Sequence, residues 1–160
     1  MKGWVLFGFF ALLIVGCGSG TLEGAPAPEL SLTDLKTGQK LSLADFKSKP
    51  VVIDFWETWC EPCRQMMPEV ENLSKEYAAK GVRVLGVSDE TQEEVKKFVY
   101  DRGLTYQFGL DPDGKTREKF HIDGFPTMVV IDKNGKVIYQ DTPPEIEKVR
   151  QILDRTLANS

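Results

Sequence analysis

The chain has 160 residues, and its hydrophobic fraction of 41% is enough to fill the core of one domain of ordinary size. Its 24 acidic and 20 basic residues leave a net charge of −4 at neutral pH and form no basic stripe, which argues against nucleic acid as a partner. Three cysteines are too few for a disulfide-stapled scaffold and indicate cysteine chemistry instead.

The N-terminal residues have the pattern of an export signal. Lys2 provides a positive start, and residues 4–15 form an apolar run that is shorter than the ~20 residues a membrane-spanning helix needs. The run leads through Gly16 to Cys17, a pattern that resembles the lipobox of bacterial lipoproteins. That resemblance implies that Cys17 carries a lipid. A signal cleaved elsewhere, with Cys17 as a bystander, is the alternative.

Composition then divides the rest of the chain. Residues 18–28 are rich in Gly, Pro and Ala and have no periodicity, which is typical of a linker. We therefore predict a signal peptide over 1–16, a flexible tether over 17–28 and one folded domain over 29–160.

Hydrophobic periodicity predicts the elements of that domain. Leu30–Leu32 and Leu41–Leu43 predict a β-hairpin, residues 51–56 predict a strand buried on both faces, and a helix with a kink at Pro68 follows Cys63. The remaining predicted elements are a strand at 82–87, a helix at 93–100, a short strand at 106–110, a brief helix ending at Phe120, a hairpin of 127–131 and 137–140, and a helix at 144–157. This order predicts an α/β fold with a mixed sheet covered by helices.

A pair of cysteines lies where the buried strand leads into the first helix. The free N–H groups and the positive end of the helix dipole stabilise a thiolate there, so Cys60 is predicted to be the nucleophile. Cys63 is placed to resolve a mixed disulfide, and Pro62 stiffens the loop between them. A zinc site would lack ligands, because His121 is the only histidine. A c-type haem would require a histidine where Arg64 stands.

Two segments carry a family resemblance. The segment 52–63, VIDFWETWCEPC, resembles the active-site strand and loop of thioredoxin-like proteins, and 124–132 resembles their cis-proline loop and the strand after it. The early hairpin and the extra residues before Pro126 resemble the TlpA/ResA branch. The resemblance implies a thioredoxin fold with an N-terminal β-hairpin extension and a central αβ insertion, and it implies thiol-disulfide oxidoreductase activity. It also implies a cis bond before Pro126, which leaves the Phe125 backbone free to pair with a substrate chain.

Two acidic positions are candidates for proton transfer. Asp54 stands in an apolar run, so we expect a desolvated, protonated carboxyl group with a raised pKa that can give its proton to the departing Cys63 sulfur. Thioredoxins carry an acid at this position, whereas many TlpA/ResA relatives have asparagine; a side chain that reaches solvent is the alternative. Glu90 falls where ResA-like proteins place an acid near the active site. Asp89 is hard to distinguish from it, and either could instead cap the next helix.

Other residues near the two motifs are expected to have smaller roles or none. Glu61 adds negative charge beside the nucleophile, which should oppose thiolate formation and favour a reductant, although solvent screening makes this effect small. Glu57 is interpreted as a solvated charge at an exposed loop edge, and His121 is given no role. The residues expected to line the substrate are Trp59, Glu61, Pro62, Phe125 and Thr127.

One segment matches a pattern that we set aside. Residues 109–116 fit the phosphate-loop consensus G-x-x-x-x-G-K-[ST]. Asp111 and Asp113 would place negative charge against a polyphosphate, and Pro112 removes an N–H group that the cradle needs. We interpret the segment as a turn and expect no nucleotide.

These observations predict an extracytoplasmic, membrane-anchored thiol-disulfide oxidoreductase that reduces disulfides of exported proteins. By resemblance, the substrate could be apocytochrome c and the electron donor a membrane thiol carrier. We expect no cofactor beyond the Cys60–Cys63 disulfide, no metal and no nucleic acid. A general dithiol oxidant, a peroxide-linked redox protein and a non-catalytic peptide-docking lipoprotein are the alternatives.

Overall fold

A computed structural model of the chain describes residues 20–159. The strands in this part are β1 (Leu32–Asp34), β2 (Lys40–Leu41), β3 (Val51–Phe55), β4 (Arg83–Ser88), β5 (Gln107–Leu110), β6 (Thr127–Ile131) and β7 (Val137–Asp141). The helices are α1 (Glu61–Ala78), α2 (Gln92–Arg102), α3 (Lys115–Lys119) and α4 (Ile146–Ala158), and a short 3-10 helix spans Leu43–Phe46. The strands form one sheet in the order β2-β1-β5-β4-β3-β6-β7.

The sheet register brings the ends of three strands together. β3 runs parallel to β4, so Phe55 pairs with Val87 at the end where both strands finish. β6 runs antiparallel to β3, so its first residue, Thr127, pairs with Phe55 at that same end. The loop after β3, the loop after β4 and the loop before β6 therefore meet at one edge of the sheet. The β1–β2 hairpin and the α2-β5-α3 segment are the extension and the insertion expected of the predicted thioredoxin fold.

Both faces of the central strands are buried, as the apolar run at 51–56 predicts. Alternate residues of β3 contribute to two different core layers because successive side chains point to opposite faces of a sheet. Val52 lies in the layer that contains the buried faces of α1, α2 and α4 and the two cysteines. Val51, Ile53 and Phe55 lie in the layer covered by the 3-10 helix and the segment after α3.

Gly86 in β4 allows an unusually close approach of two aromatic rings. A Cβ atom at this position would lie 2.7 Å from the Phe108 ring and 2.9 Å from Nε1 of Trp56. Replacing Gly86 by alanine should lower the free energy of unfolding by about 1–3 kcal/mol, because overpacking forces the rings or the strand to shift. Urea denaturation measures the change.

Gly124→Ala is the matched control for that substitution. A Cβ atom at Gly124 would come no closer than 3.4 Å to the Thr142 side chain, which is an ordinary contact. Equal losses of stability in the two variants would contradict the packing argument.

The N-terminal boundary of the domain differs from the prediction. The sequence predicts a flexible tether over 17–28, but residues 22–27 lie along the edge strand β7. The Gly24 amide donates to the Val137 carbonyl at 2.8 Å, and the Val137 amide donates to the Ala25 carbonyl at 2.9 Å. Because β7 is an edge strand, its free backbone groups can pair with any extended segment, whatever that segment's composition.

The other elements agree with the prediction to within a few residues, except near the first hairpin. Residues 41–43 were expected to form a strand, but β2 ends at Leu41 and a 3-10 helix begins at Leu43. Ser42 and Asp45 form a capping box that starts this helix. The predicted signal peptide and Cys17 lie outside the described residues.

Among residues 20–159, no helix is both long and apolar enough to cross a membrane.

Candidate active site

The two cysteines form a disulfide at the N-terminus of α1. Cys60 is the N-cap residue of the helix, its Sγ accepts a hydrogen bond from the Cys63 amide at 3.3 Å, and the two Cα atoms are 5.3 Å apart. Cys60 is 4% exposed and Cys63 1%. A thiolate released at Cys60 would face the free amide groups of the first helical turn, which stabilise negative charge.

A tight turn precedes α1 and ends at its N-cap residue, Cys60. The Cys60 amide donates to the Glu57 carbonyl at 3.1 Å, which closes a turn from Glu57 to Cys60. Arg64 donates to the Thr58 carbonyl at 3.4 Å and also pairs with Glu61 on the exposed side of the helix. The position of Cys60 therefore depends on the contacts of Glu57 and Thr58.

The cis-proline loop lies beside this turn. The Phe125–Pro126 peptide bond is cis, as the resemblance implies, and Pro126 is buried. The rings of Trp59 and Phe125 meet edge to face with their centroids 6.0 Å apart, and Trp59 is 67% exposed. The loop and the turn thus form one continuous surface next to the disulfide.

Asp54 is fully buried, which excludes the alternative of a side chain that reaches solvent. It lies between Val52 and Trp56 on β3 and so faces the layer that contains the disulfide. Neither carboxyl oxygen has a hydrogen-bond partner among the described residues. Burial raises the pKa of Asp54 from 3.8 to about 7, so the group can take up or release a proton near neutral pH.

Glu57 contradicts the sequence interpretation of a solvated charge, because it is only 1% exposed. Its carboxyl group accepts a hydrogen bond from the Ser88 hydroxyl at 2.7 Å and from the Asp89 amide at 3.2 Å. Burial, together with a hydrogen bond to the carboxyl group of Glu90, raises the pKa of Glu57 to about 8. The prediction failed because the residue belongs to the loop after β3, and the neighbouring end of β4 covers that loop.

The structure separates Asp89 from Glu90. Glu90 accepts from both the amide and the hydroxyl of Thr58, each at 2.6 Å, so it contacts the Cys60 turn directly. Asp89 instead pairs with Arg117 at 2.9 Å. Neither residue caps α2, since Thr91 is the N-cap residue of that helix. Glu90 is therefore the acid adjacent to the active-site loop.

Arg117 is a residue at this surface that sequence reasoning missed. Its guanidinium group lies 4.8 Å from the centre of the Phe125 ring and is held there by Asp89 and by the Ile122 carbonyl. No local pattern marks it, because its partners come from β4 and from the cis-proline loop. It adds one fixed positive charge beside the Phe125 ring.

The residues predicted to line the substrate fall into two groups. Trp59, Glu61 and Pro62 are exposed and Phe125 is half-buried, so all four can contact a partner chain. Thr127 is buried, and its hydroxyl group donates to the Gly124 carbonyl at 2.7 Å and contacts Thr142. The side chain of Thr127 therefore supports the cis-proline loop and does not face a substrate.

The phosphate-loop pattern is a turn, as interpreted. The Gly114 amide donates to the Asp111 carbonyl at 2.8 Å. The buried Asp111 carboxyl group accepts from the amides of Thr116 and Arg117 at 3.1 and 2.8 Å. These amides at the start of α3 are the groups that a phosphate would need, and an internal carboxylate occupies them.

Together these contacts describe a dithiol site. The sulfur of Cys60 is at a helix N-terminus, Cys63 is in bonding distance, and two buried carboxyl groups with raised pKa values adjoin the disulfide layer and the turn. Such a site can exchange a disulfide and move the accompanying proton.

Comparison with known proteins agrees with this chemistry. The family model described as Redoxin matches residues 22–157. The chain is 40% identical over 118 residues to the thiol-disulfide oxidoreductase ResA of Bacillus thuringiensis subsp. konkukian, covering 73% of this chain and 68% of that protein. It is 36% identical over 139 residues to the thioredoxin-like protein YneN of Bacillus subtilis, with coverages of 84% and 78%. The crystal structure of the thioredoxin domain of a thiol-disulfide oxidoreductase from Bacteroides vulgatus superposes with a TM-score of 0.69 at 32% identity, covering 74% of this chain and 87% of that one.

Proposed function

Because this chain belongs to the Redoxin family and is a thiol-disulfide oxidoreductase, we propose that it acts as a reductant of disulfide bonds in exported proteins. Cys60 is the attacking thiolate and Cys63 the resolving thiol. The reaction moves two electrons from the reduced pair to the partner and leaves Cys60 and Cys63 joined by a disulfide.

The observation that carries the proposed direction of electron flow is an unpaired acid at the turn before Cys60. Glu90 holds that turn through Thr58, and within residues 20–159 it forms no ion pair with a lysine or arginine. Asp54 and Glu57 add less negative charge near neutral pH, because burial raises their pKa values to about 7 and about 8. Negative charge near the sulfur disfavours the thiolate and so favours the disulfide, which makes the reduced pair a better electron donor.

The exchange proceeds in two displacements. The Cys60 thiolate attacks one sulfur of the partner disulfide, forms a mixed disulfide and releases the first partner thiolate. The Cys63 thiol then passes its proton to the Asp54 carboxylate and attacks Cys60 Sγ, which releases the second partner thiolate. The pKa of Asp54, raised to about 7, suits it to accept this proton near neutral pH.

The surface beside the disulfide fits an extended peptide. Because Pro126 lacks an N–H group and follows a cis bond, the backbone of Phe125 can pair with a partner strand. The exposed Trp59 ring and the half-buried Phe125 ring offer contacts for an apolar side chain next to the partner cysteine.

The cellular setting that we propose is the outer face of the cytoplasmic membrane. Lipidation of Cys17 would hold the domain on the outer side of the cytoplasmic membrane, where apocytochrome c with an internal disulfide is a suitable substrate. A membrane dithiol carrier would then restore the reduced pair by the reverse pair of displacements.

Trapping tests the exchange and its partners. In a Cys63→Ala variant the mixed disulfide cannot be resolved, so exported proteins should accumulate in covalent adducts with Cys60. The matched control is the double variant Cys60→Ala/Cys63→Ala, which should form no adducts. If non-reducing electrophoresis shows equal adducts for both variants, the exchange assignment is wrong.

The reduction potential tests the direction. Equilibration with glutathione should place the Cys60–Cys63 couple towards the reducing end of the thioredoxin-like range, at about −270 mV. A value near −120 mV would instead identify a dithiol oxidant and overturn the proposed direction.

A further inference from the structure

Glu57 and Glu90 form a pair of carboxyl groups that holds the turn presenting Cys60. The Glu57 carboxyl group is buried against Ser88 and Asp89, while its own backbone carbonyl accepts from the Cys60 amide at 3.1 Å. The Glu90 carboxyl group accepts two hydrogen bonds of 2.6 Å from the next residue of the turn, one from the Thr58 amide and one from the Thr58 hydroxyl group. Glu57 and Thr58, the first two residues of the turn, are therefore each hydrogen-bonded to residues at or just after the end of β4 through a carboxyl group.

A single hydroxyl group stands between the two acids. Ser88 Oγ lies 2.7 Å from Glu57 Oε2 and 3.4 Å from Glu90 Oε2, and it accepts a hydrogen bond from the Glu90 amide at 3.1 Å. A hydroxyl group has one proton, so Ser88 cannot donate to both carboxylates at once. Two ionised carboxylates on either side of one hydroxyl group would repel each other, and Glu57 is buried, so we expect the pair to be stable when it holds one proton.

No lysine or arginine of the part of the chain that the structure describes forms an ion pair with the carboxyl group of either Glu57 or Glu90. Asp89, which adds to the negative charge, already binds Arg117. Arg64 reaches the turn only through the Thr58 carbonyl. Charged groups on the neighbouring elements include Asp54 on β3, Glu61 and Arg64 on α1, Asp89 after β4, Glu93 and Glu94 in the first turn of α2, Asp111 after β5 and Arg117 on α3.

We infer that Glu57 is a positioning residue for disulfide exchange, which shares one proton with Glu90 and thereby fixes the Glu57–Cys60 turn in its reactive geometry. Loss of that proton leaves two carboxylates that repel each other, so Glu90 moves away from Thr58 and the turn loosens. The inference concerns the exchange reaction itself and holds for either direction of electron flow.

The sign of the pH effect follows from the shared proton. As the pH rises through the raised pKa of Glu57, the pair loses its proton and the turn loses its anchor. The exchange rate per thiolate should therefore fall above neutral pH, although the total amount of thiolate rises over the same range. Because misplacement of a reacting group slows reactions strongly, we expect a fall of about tenfold between pH 7 and pH 9.

The experiment uses the reduced full chain with oxidised glutathione as the disulfide. The exchange rate is divided by the thiolate fraction of Cys60, which iodoacetamide alkylation gives at each pH. Glu57→Gln keeps a neutral group that can hydrogen-bond to Glu90, so its corrected rate should stay level from pH 7 to pH 9. Glu57→Ala removes the anchor, so its corrected rate should be about tenfold lower at pH 7, and the glutamine variant should restore it.

Glu71→Gln is the matched control. Glu71 is also a buried glutamate that accepts from the amide and the hydroxyl of a threonine, Thr105, but it lies away from the disulfide. This variant should keep the pH profile of the wild-type chain whatever happens to its stability. If Glu57→Gln also keeps the wild-type profile, or if Glu71→Gln levels it equally, the inference is wrong; the glutamine variant decides the matter even where Glu57→Ala fails to fold.

Discussion

Replacing Cys60 by serine should reduce disulfide exchange by roughly 10³-fold or more, the scale of loss seen when an enzyme loses its nucleophile. The reason is that a serine hydroxyl group stays protonated near neutral pH, so the amides at the start of α1 have no anion to stabilise. The Cys63 sulfur is a poor substitute, because it lies inside the first turn of α1 and not at the N-cap position. Reduction of insulin by the chain in the presence of dithiothreitol, followed by turbidity, measures the loss.

Cys17→Ser is the matched control, because it removes the remaining cysteine of the chain and leaves the Cys60–Cys63 pair intact. Its insulin reduction should equal that of the wild-type chain. The Cys60→Ser domain should still fold, since a disulfide that closes so short a loop adds little stability through loop closure. Retention of a tenth or more of the activity by a folded Cys60→Ser variant would show that Cys60 is not the nucleophile.

Replacing Asp54 by asparagine should make the oxidised chain more stable at alkaline pH and leave its stability unchanged in acid. In the unfolded chain the Asp54 carboxyl group ionises near its ordinary pKa of 3.8, whereas in the fold it keeps its proton up to about pH 7. The unfolded state therefore binds fewer protons between these values, and the stability of the wild-type chain falls as the pH rises through them. Above pH 7 the gain in the variant should be roughly 2–4 kcal/mol, because asparagine cannot ionise.

Urea denaturation at pH 4 and pH 8.5 measures this difference. Asp123→Asn, at an exposed position, is the control and should show no comparable gain at the higher pH. Asparagine suits the comparison because, like a protonated carboxyl group, it is polar and neutral in a site where the Asp54 oxygens have no partners. A gain of the same size at both pH values would contradict the assignment of a raised pKa.

The same substitution should also slow the second displacement. Without a proton acceptor beneath the disulfide, Cys63 attacks the mixed disulfide about 10²-fold more slowly, the usual range for loss of a general base. Stopped-flow measurement of the step after mixed-disulfide formation should show a rate that rises with pH through about 7 in the wild-type chain. That rise should be absent from the Asp54→Asn variant.

Much of the fold could be predicted from the sequence because its signals are local. The apolar run at 51–56, the cysteines at the start of α1 and the turn at 132–135 each carry their own pattern, and the observed elements follow it. The first hairpin and residues 22–27 did not follow, because their conformation depends on the neighbours they pair with. The capping box of Ser42 and Asp45 starts a 3-10 helix where the sequence predicts that β2 continues. Residues 22–27, whose composition predicts a linker, form hydrogen bonds with the free edge of β7.

The sequence by itself was enough to identify the pair of cysteines that forms the disulfide. Cys60 and Cys63 lie within one helical turn, and Cys60 is the N-cap residue of the helix that follows the buried strand. The sequence also favoured a desolvated Asp54, since every neighbour of that residue in the run is apolar, and the structure excluded the alternative of a side chain that reaches solvent.

Only the tertiary structure decided which acids contact the turn before Cys60. In the sequence, Glu57 looks like an exposed charge, and Asp89 cannot be distinguished from Glu90. The parallel pairing of β3 with β4 places the loop after β3 beside the loop after β4 and so separates the three roles. That pairing buries Glu57 against Ser88, directs Glu90 to Thr58 and leaves Asp89 for Arg117. The physical reason is that burial and hydrogen bonding set the charge state of a carboxyl group, and both depend on residues about thirty positions away in the chain.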